Sequence, residues 1–251
     1  MQLAEKIRKK IVSGLSDYSM IQPGDRVMVA VSGGKDSSIL LMMLHEIQKR
    51  SKIPFEIHAV LLDQKQPGFN CERFASWLES LGYQLTVVEE DTYSIVTDKV
   101  AEGKAFCGLC SRLRRGILYN YAAEHGFNKI ALGHHRDDLI ETVLLNMFFN
   151  GRISSMPPKL KSDDGRNIVI RPLVYVPEKM LIDYAKELDF PIIPCNLCGS
   201  QENLQRAKVK GLLRKLETDN PDIGSSMLKS LQNIRASQLM DRDLWSFDSL
   251  S

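Results

Sequence analysis

Short apolar segments alternate with amphipathic ones along most of this chain, and that alternation constrains its fold more than any other feature. The strand-like runs are Arg26–Val31, Phe55–Leu62, Gln84–Val88, Lys129–Leu132 and Ile168–Ile170. Helical patterns separate them at Ser38–Gln48, Glu72–Leu81, Cys110–His125 and Leu139–Phe149. Continuous apolar strands between amphipathic helices indicate a parallel sheet covered on both faces. The sequence therefore predicts an α/β fold with a doubly wound, mostly parallel sheet.

The ends of the chain carry helical patterns without strands. The opening stretch MQLAEKIRKKIVSGL is amphipathic, and periodic segments at Leu204–Leu216 and Ser225–Ala236 predict a helical tail. A length of 251 residues suits one good core with a small appendage. We expect an N-terminal helix within 1–24, a main domain over 25–200 and a helical C-terminal extension over 201–251. Pro157–Asn167 (PPKLKSDDGRN) is predicted to be an exposed, mobile loop.

Composition and charge place the chain among ordinary globular proteins. It is 43% hydrophobic and 25% charged, and its net charge of +2 is too small to indicate a nucleic-acid partner by itself. No stretch is long enough to cross a membrane, and the N-terminus lacks the apolar core and cleavage site of a signal peptide. We expect a cytoplasmic protein with no membrane partner.

Basic residues are concentrated in three places. These clusters are Lys6, Arg8, Lys9 and Lys10; Arg112, Arg114 and Arg115; and Arg206, Lys208, Lys210, Arg214 and Lys215. Each cluster is either a solvated helix face or a surface for phosphate groups.

Four of the five cysteines form two C-x-x-C pairs, Cys107/Cys110 and Cys195/Cys198. In a reducing compartment such pairs indicate metal or redox chemistry more than structural disulfides. A four-cysteine zinc site is the simplest interpretation, although 84 residues separate Cys110 from Cys195, far more than in a zinc ribbon. An iron–sulfur site and free thiols are the alternatives.

The segment SGGKDSS, residues 32–38, lies between the first predicted strand and the following helix. Ligands of open α/β sheets bind at the carboxyl ends of strands, where a helix N-terminus offers free N–H groups. Gly33 and Gly34 permit close backbone approach to an anion, and the hydroxyls and Lys35 can bind phosphate oxygens. A tight turn capped by Ser and Asp is the alternative. The segment matches neither the Walker A loop nor the dinucleotide fingerprint, because Val29 replaces the first Walker glycine and Asp36 follows the lysine.

Other polar residues follow the ends of predicted strands. Asp63 could cap the next turn or lie near a nucleotide ribose or adenine. Gly133 could be an ordinary strand-end glycine or a surface for a flat base, and His134 could be satisfied by nearby backbone. Asp137 and Asp138 could cap a helix, hold Mg²⁺ or accept a proton.

Residues 32–37, SGGKDS, resemble the S-G-G-x-D-S signature of the PP-loop ATP pyrophosphatases. The resemblance implies an adenine nucleotide alpha hydrolase-like fold, binding of ATP, cleavage between its α and β phosphates, and transfer of AMP to a substrate oxygen. The implied contacts to ATP are Ser32, Gly33, Gly34, Lys35, Asp36 and Ser37, with Asp36 helping to hold Mg²⁺. Asp63, Gly133 and His134 are expected beside the nucleotide.

Four further stretches narrow the resemblance: LLDQKQPGF, CGLCSRLRRGILY, IALGHHRDD and PIIPCNLCGSQENLQR. Together they resemble the tRNA 2-thiocytidine synthetase family from about Met20 to Arg206, whereas the tail beyond about Lys215 matches nothing. This family replaces the 2-oxygen of a cytosine in the tRNA anticodon loop, at position 32, with sulfur. The expected partners are tRNA, a sulfur donor such as a cysteine desulfurase, and a second copy of the chain in a homodimer.

The family holds a [4Fe–4S] cluster through three cysteines and leaves one iron open. The resemblance implies Cys107, Cys110 and Cys198 as the ligands and Cys195 as an auxiliary. Cys198 is preferred because related sulfur transferases carry a cysteine about five residues before an Asn and eight before an Arg, which match Asn203 and Arg206.

The same family implies catalytic roles. The segment of Asp137 and Asp138 contributes a catalytic acidic residue there, and Arg114 stands where related enzymes keep a catalytic lysine. Arg171 and Arg206 are expected to contact phosphates or AMP. The alternative functions are another PP-loop tRNA-modifying enzyme and a zinc-stabilised RNA-binding protein without catalysis.

Overall fold

The computed structural model describes residues 2–69, 71–99, 107–188 and 201–250. They contain one six-stranded sheet. Its strands are β1 Arg26–Val31, β2 Glu56–Asp63, β3 Leu85–Glu89, β4 Lys129–Ala131, β5 Lys159–Lys161 and β6 Ile168–Ile170. The spatial order is β3-β2-β1-β4-β6-β5, with every pair parallel except β5–β6. The predicted fold class is confirmed, and each predicted strand ends within one residue of the observed one.

Helices flank the sheet and form the tail. They are α1 Gln2–Asp17, α2 Lys35–Arg50, α3 Cys71–Ser80, α4 Thr92–Lys99, α5 Cys107–Glu124, α6 Arg136–Phe149, α7 Glu178–Glu187, α8 Gln201–Asp219 and α9 Ile223–Ser230. Short 3₁₀ turns follow at Ala236–Gln238 and Phe247–Leu250. Within the described ranges, no helix is both long and apolar enough to cross a bilayer.

The sequence missed three elements, each for a physical reason. β5 lies inside the segment predicted to be a loop. Its three residues, Lys-Leu-Lys, are too few to show a period, and their charges suit an exposed edge strand. α4 carries β-branched residues that favour helix weakly. α7 follows Pro177 with no side-chain cap, and its first N–H, on Glu178, is instead bound by Asp137, 41 residues away.

Alternate residues of β1 serve the two faces of the sheet. Val27 and Val29 belong to the larger apolar cluster, in which α1 and α2 cover the sheet. Met28 belongs to a second cluster on the opposite face, beneath α5. Ile7 and Ile11 of α1 are fully buried in the larger cluster, so the N-terminal helix is part of the main core.

The tail packs on α6. Ile140 and Leu144 of α6 form a small apolar cluster with Val209 and Leu213 of α8. On its other side, α6 inserts Leu139 into the main core. Because α6 joins both clusters, α8 is held in a defined position against the sheet domain.

The order in which the chain adds strands to the sheet reverses next to β1. The chain extends it from β1 through β2 to β3 on one side, and through β4 to β6 on the other. The loops that follow β1 and β4 therefore border one crevice at the carboxyl edge. A Cβ at Gly133 would lie 2.8 Å from the backbone N of Ser37, so only glycine lets the β4 loop lie against the first turn of α2.

We predict that Gly133→Ala destabilises the protein. Its new methyl group would meet backbone atoms of α2 that cannot rotate away, an overpacking that typically costs about 1–3 kcal/mol. Urea unfolding measures this loss. Gly116→Ala is the control because a Cβ there meets nothing within 4 Å, and we expect it to be neutral or slightly stabilising. Equal unfolding midpoints for the two variants would contradict the close contact.

Candidate active site

The loop between β1 and α2 is shaped by glycines and serines. Gly33 has a φ of +76°, a left-handed conformation that favours glycine, and Gly34 precedes α2 with extended backbone and no side-chain cap. The Ser37 hydroxyl accepts a hydrogen bond from the Ser32 N–H at 3.0 Å, and Ser38 donates to the Gly34 carbonyl at 3.0 Å. The serines thus brace the turn, as the turn interpretation requires. The uncapped N-terminus of α2 keeps the character of an anion site.

Lys35 and Asp36 form a pair at the start of α2. The Lys35 ammonium donates to Asp36 Oδ2 at 3.0 Å. The other carboxylate oxygen, Oδ1, is buried and has no hydrogen-bond partner within the described residues. Burial raises the pKa of Asp36, while the charges of Lys35 and His135 oppose that rise. An unsatisfied carboxylate oxygen beside an uncapped helix N-terminus fits a divalent cation, since Mg²⁺ prefers oxygen ligands.

His134 lies across the crevice, directly after Gly133. Its Nδ1 atom is buried without a partner in the described part of the chain. Burial lowers the pKa of His134 to about 4, and the positive charges of Arg171 and Arg114 act in the same direction. The imidazole is therefore neutral near pH 7. The expectation that local backbone satisfies His134 is wrong for Nδ1.

The two adjacent aspartates of α6 have different environments. Asp137 accepts hydrogen bonds from the Arg136 guanidinium at 2.8 Å and from the Glu178 N–H at 2.7 Å. Burial raises the pKa of Asp137, but the hydrogen bond and charge of Arg136, the Glu178 N–H and the charge of His135 together outweigh burial and lower it. Asp138 is less buried, with 22% of its side chain exposed, and its charge acts on Asp36 across the crevice.

The N-cap of α6 is a histidine. His135 accepts a hydrogen bond from the Asp138 N–H, and the Asp138 carboxylate accepts one from the His135 N–H at 3.0 Å, a reciprocal capping box. The prediction that an aspartate is itself the N-cap is therefore wrong, because α6 begins at Arg136 and both aspartates lie inside its first turn. Asp138 contributes to the cap as its third-position partner.

Asp63, the last residue of β2, caps the turn that follows it. Its Oδ1 accepts from the Lys65 N–H at 2.8 Å, which supports the positive φ of 57° at Lys65. Its Oδ2 lies 3.6 Å from the Cys71 sulfur. The capping role is thus observed, and a place beside the nucleotide stays a prediction.

The first cysteine pair opens α5. Cys107 begins the helix, and the Cys110 sulfur lies 3.3 Å from Gln64 Oε1, just beyond the carboxyl end of β2. Gln64 also accepts from the Thr92 hydroxyl at 3.2 Å. Residues three apart share one helix face, so the pair suits two thiolate ligands of one metal centre. Cys195 and Cys198 lie outside the described residues. Among the residues that the structure describes, no group of three or more His, Cys, Asp or Glu side chains is arranged to hold a metal ion.

The arginines after the cysteine pair lie on the exposed side of α5. Arg112, Arg114 and Arg115 are all solvent-exposed. The charge of Arg114 acts on His134, and that of Arg115 acts on Arg171. A role of these arginines as a basic surface next to the site stays a prediction.

The structure divides the basic cluster of α8 into two groups. Arg206 lies 3.3 Å from Glu141 and 3.6 Å from Asp138, and Lys210 lies 2.7 Å from Glu178. Lys208, Arg214 and Lys215 are exposed. Arg206 and Lys210 are thus engaged by carboxylates and do not form a solvated face, while their contact with phosphates stays a prediction.

Sequence reasoning missed Gln64, Glu141 and Glu178. Glu141 had a signal, because it is a carboxylate within the apolar run of α6 and is only 2% exposed, so it needs a cationic partner. Burial raises its pKa, against the charges of Lys210 and Arg206. Glu178 had no such signal in the sequence, since its partners are distant along the chain.

Comparison with known proteins identifies relatives across nearly the whole chain. The PP-loop domain family matches residues 3–206. The tRNA-cytidine(32) 2-sulfurtransferase of Bdellovibrio bacteriovorus is 58% identical over 250 residues, covering 100% of this chain and 96% of that protein. The proteins of the same name from Legionella pneumophila strain Paris and Coxiella burnetii strain Dugway are 54% and 52% identical, covering 97% and 98% of this chain and 88% and 98% of their own.

A solved structure shares the fold. The U34-tRNA thiolase NcsA from Methanococcus maripaludis, determined with its [4Fe-4S] cluster, superposes with a TM-score of 0.73 at 22% identity, covering 93% of this chain and 80% of that one. The full-length relatives also correct the expectation that the tail beyond Lys215 matches nothing. The chain therefore belongs to the PP-loop family and, within it, to the tRNA-cytidine(32) 2-sulfurtransferases.

Proposed function

We propose that this protein uses ATP to adenylate the 2-oxygen of cytidine 32 in tRNA and replaces that oxygen with sulfur, giving 2-thiocytidine. One observation carries the proposal: the SGGKDS loop follows β1, and Cys110 of the first cysteine pair contacts Gln64, which follows β2, so both lie at the carboxyl edge of one parallel sheet. An ATP loop and a thiolate pair on one edge can act on one base. The names of the relatives, 52–58% identical over nearly the whole chain, support the substrate.

The ATP site in this proposal is the crevice between the β1 and β4 loops. Its phosphate contacts are Ser32, Gly33, Gly34, Lys35, Asp36 and Ser37, and its nucleotide contacts are Asp63, Gly133 and His134. The 2-oxygen of cytidine attacks the α-phosphate, and pyrophosphate leaves towards the N-terminus of α2, where N–H groups and Lys35 stabilise its charge. The buried Asp36 Oδ1 is the protein ligand we assign to Mg²⁺, which would neutralise charge on the phosphates.

Cys107, Cys110 and Cys198 are the cysteines that we assign to a [4Fe–4S] cluster. When bound, the cluster would supply sulfide to C2 of the activated base as AMP leaves. Cys110 is held at the edge of the sheet by Gln64, which suits a ligand that must face the ATP crevice. The cluster recorded with NcsA, a protein of the same fold, supports this choice over zinc.

Asp138 is a better candidate than Asp137 for the catalytic carboxylate. Asp137 is engaged by Arg136 and by the N-terminus of α7, so its protonation would break two contacts within the fold. Asp138 is more exposed and its charge reaches Asp36, which places it at the crevice. We assign to Arg114, whose charge acts on His134, the stabilisation of negative charge on the AMP phosphate of the adenylated base.

The exposed arginines of α5 would position tRNA through its phosphates. We also propose that the protein acts in the cytoplasm as a homodimer and receives sulfur from a donor such as a cysteine desulfurase. These assignments rest on the relatives and on the chemistry of the reaction, which needs tRNA and a source of reduced sulfur.

We predict that Gly34→Val abolishes turnover. A Cβ at Gly34 meets only Ser32 Oγ, at 3.5 Å, so the variant should fold while its side chain blocks phosphate approach. With ATP, tRNA and sulfide under anaerobic conditions, the unchanged protein should yield AMP, pyrophosphate and 2-thiocytidine, and the variant none of them. ADP as product would contradict cleavage between the α and β phosphates. Normal turnover by the variant would contradict the loop assignment.

The second expectation concerns the α5 surface. Arg112→Glu and Arg115→Glu should weaken tRNA binding and reduce the slope of log affinity against log salt by about one for every phosphate that the protein no longer neutralises. ATP affinity should stay nearly unchanged. Lys52→Glu is the control, since it makes the same charge change at an exposed position before β2. Identical salt slopes for all three variants would show that these arginines form a solvated helix face and do not contact tRNA phosphates.

The third expectation assigns the cluster ligands. Serine at Cys107, Cys110 or Cys198 should remove the iron and the absorbance near roughly 400 nm while ATP binding stays measurable, because a cluster left with two anchors is readily lost. Cys71→Ser is the control: the Cys71 thiol lies against Asp63, and this variant should keep its iron.

The same series tests Cys195. If Cys195→Ser loses iron and Cys198→Ser keeps it, the third ligand is assigned wrongly. Loss in both variants would indicate four thiolates and remove the open iron. A colourless, zinc-containing protein purified without oxygen would instead support the zinc-stabilised RNA-binding alternative.

A further inference from the structure

One carboxylate oxygen lies between two lysines next to the ATP loop. Glu178 Oε1 accepts from the Lys210 ammonium at 2.7 Å and lies 3.8 Å from that of Lys35. The three side chains are shielded from solvent, with 16% of Glu178, 20% of Lys35 and 30% of Lys210 exposed. The α8 helix thus reaches the PP-loop through a single shared carboxylate.

Each member of this trio is held by its own element. Glu178 begins α7, and its N–H is bound to Asp137. Lys210 follows Val209, which is buried against α6. Lys35 begins α2 and also contacts Asp36 at 3.0 Å. The three charges therefore come from separate elements, and Lys35 has a second carboxylate partner in Asp36.

The charges make the two lysines competitors. Glu178 carries one negative charge. Lys210 compensates most of that charge, because its ammonium lies 2.7 Å from the carboxylate and that of Lys35 lies 3.8 Å away. Without Lys210, the uncompensated carboxylate would attract Lys35 away from the phosphates and would itself repel them. Lys210 also acts on Glu141, but Arg206 lies 3.3 Å from that carboxylate and would remain there.

We propose that Lys210 is a positioning residue for ATP binding: by engaging Glu178, it leaves Lys35 available to the triphosphate. This inference rests on the proposed ATP site. It gives the tail helix a role inside the ATP site that is separate from any contact with RNA.

ATP affinity measured by calorimetry, without tRNA and with Mg²⁺, tests the proposal. Lys210→Met should weaken ATP binding roughly tenfold, as expected when a shielded carboxylate loses its closest partner beside an anionic ligand. Lys208→Met is the matched control on the same helix; its side chain is exposed and its ATP affinity should not change. Lys210→Arg preserves the charge and should bind ATP within about twofold of the unchanged protein.

The decisive variant combines Lys210→Met with Glu178→Gln. Removing the carboxylate charge should restore ATP affinity, whereas a purely structural role of Lys210 predicts further loss. Failure of this rescue, or equal affinities for Lys210→Met and Lys208→Met, would overturn the inference. If the unchanged protein itself binds no ATP, the proposed function fails instead. Should Lys210→Met not fold, Lys210→Gln takes its place in the same comparison, with the same loss of ATP affinity and the same rescue by Glu178→Gln expected.

Discussion

The close approach of the β4 loop to the first turn of α2 is the constraint on which the site depends. Gly133 lies so near the backbone of Ser37 that a single added carbon would overlap it. This contact brings the loop after β1 and the loop after β4 to the same crevice, at the point where the strand order reverses. It also places His134 and α6 opposite Asp36. Without a glycine here the two halves of the crevice would separate.

Ion pairs hold the tail onto this arrangement. Arg136 of α6 binds Glu217 of α8 at 2.8 Å, and Arg206 and Lys210 of α8 reach carboxylates of α6 and α7. Isolated surface pairs contribute little, but these involve carboxylates with little exposure, whose burial is unfavourable unless they are paired. The ion pairs therefore specify where α8 lies on the apolar surface of α6.

Local pattern was enough to predict the central strands and most helices, because continuous apolar strands and amphipathic helices have distinct periods. It failed at β5 and α7, where the stabilising partner is distant: β5 is defined by pairing with β6, and α7 begins with a hydrogen bond to Asp137. The loop residues and the cysteine pair of α5 were recognised from their motifs. Gln64 and Glu178 were missed because each acts through a residue far along the chain. The basic run of α8 shows the same limit, since a lysine pattern does not reveal which ammonium faces a buried carboxylate.

The crevice holds polar atoms that the fold leaves unsatisfied. Asp36 Oδ1, His134 Nδ1 and Arg171 Nε are buried and have no hydrogen-bond partner within the described residues. Each such atom costs about 1–3 kcal/mol, a penalty that a ligand with matching groups relieves. Burial also raises the pKa of Asp36 and lowers that of His134, so both groups are shifted towards their neutral forms. A cation at Asp36 would reverse the first shift by favouring the carboxylate, while a neutral His134 keeps an imidazole nitrogen able to accept a hydrogen bond. The fold thus buries these polar atoms without hydrogen-bond partners. A triphosphate with its cation would supply the missing hydrogen bonds and the missing positive charge.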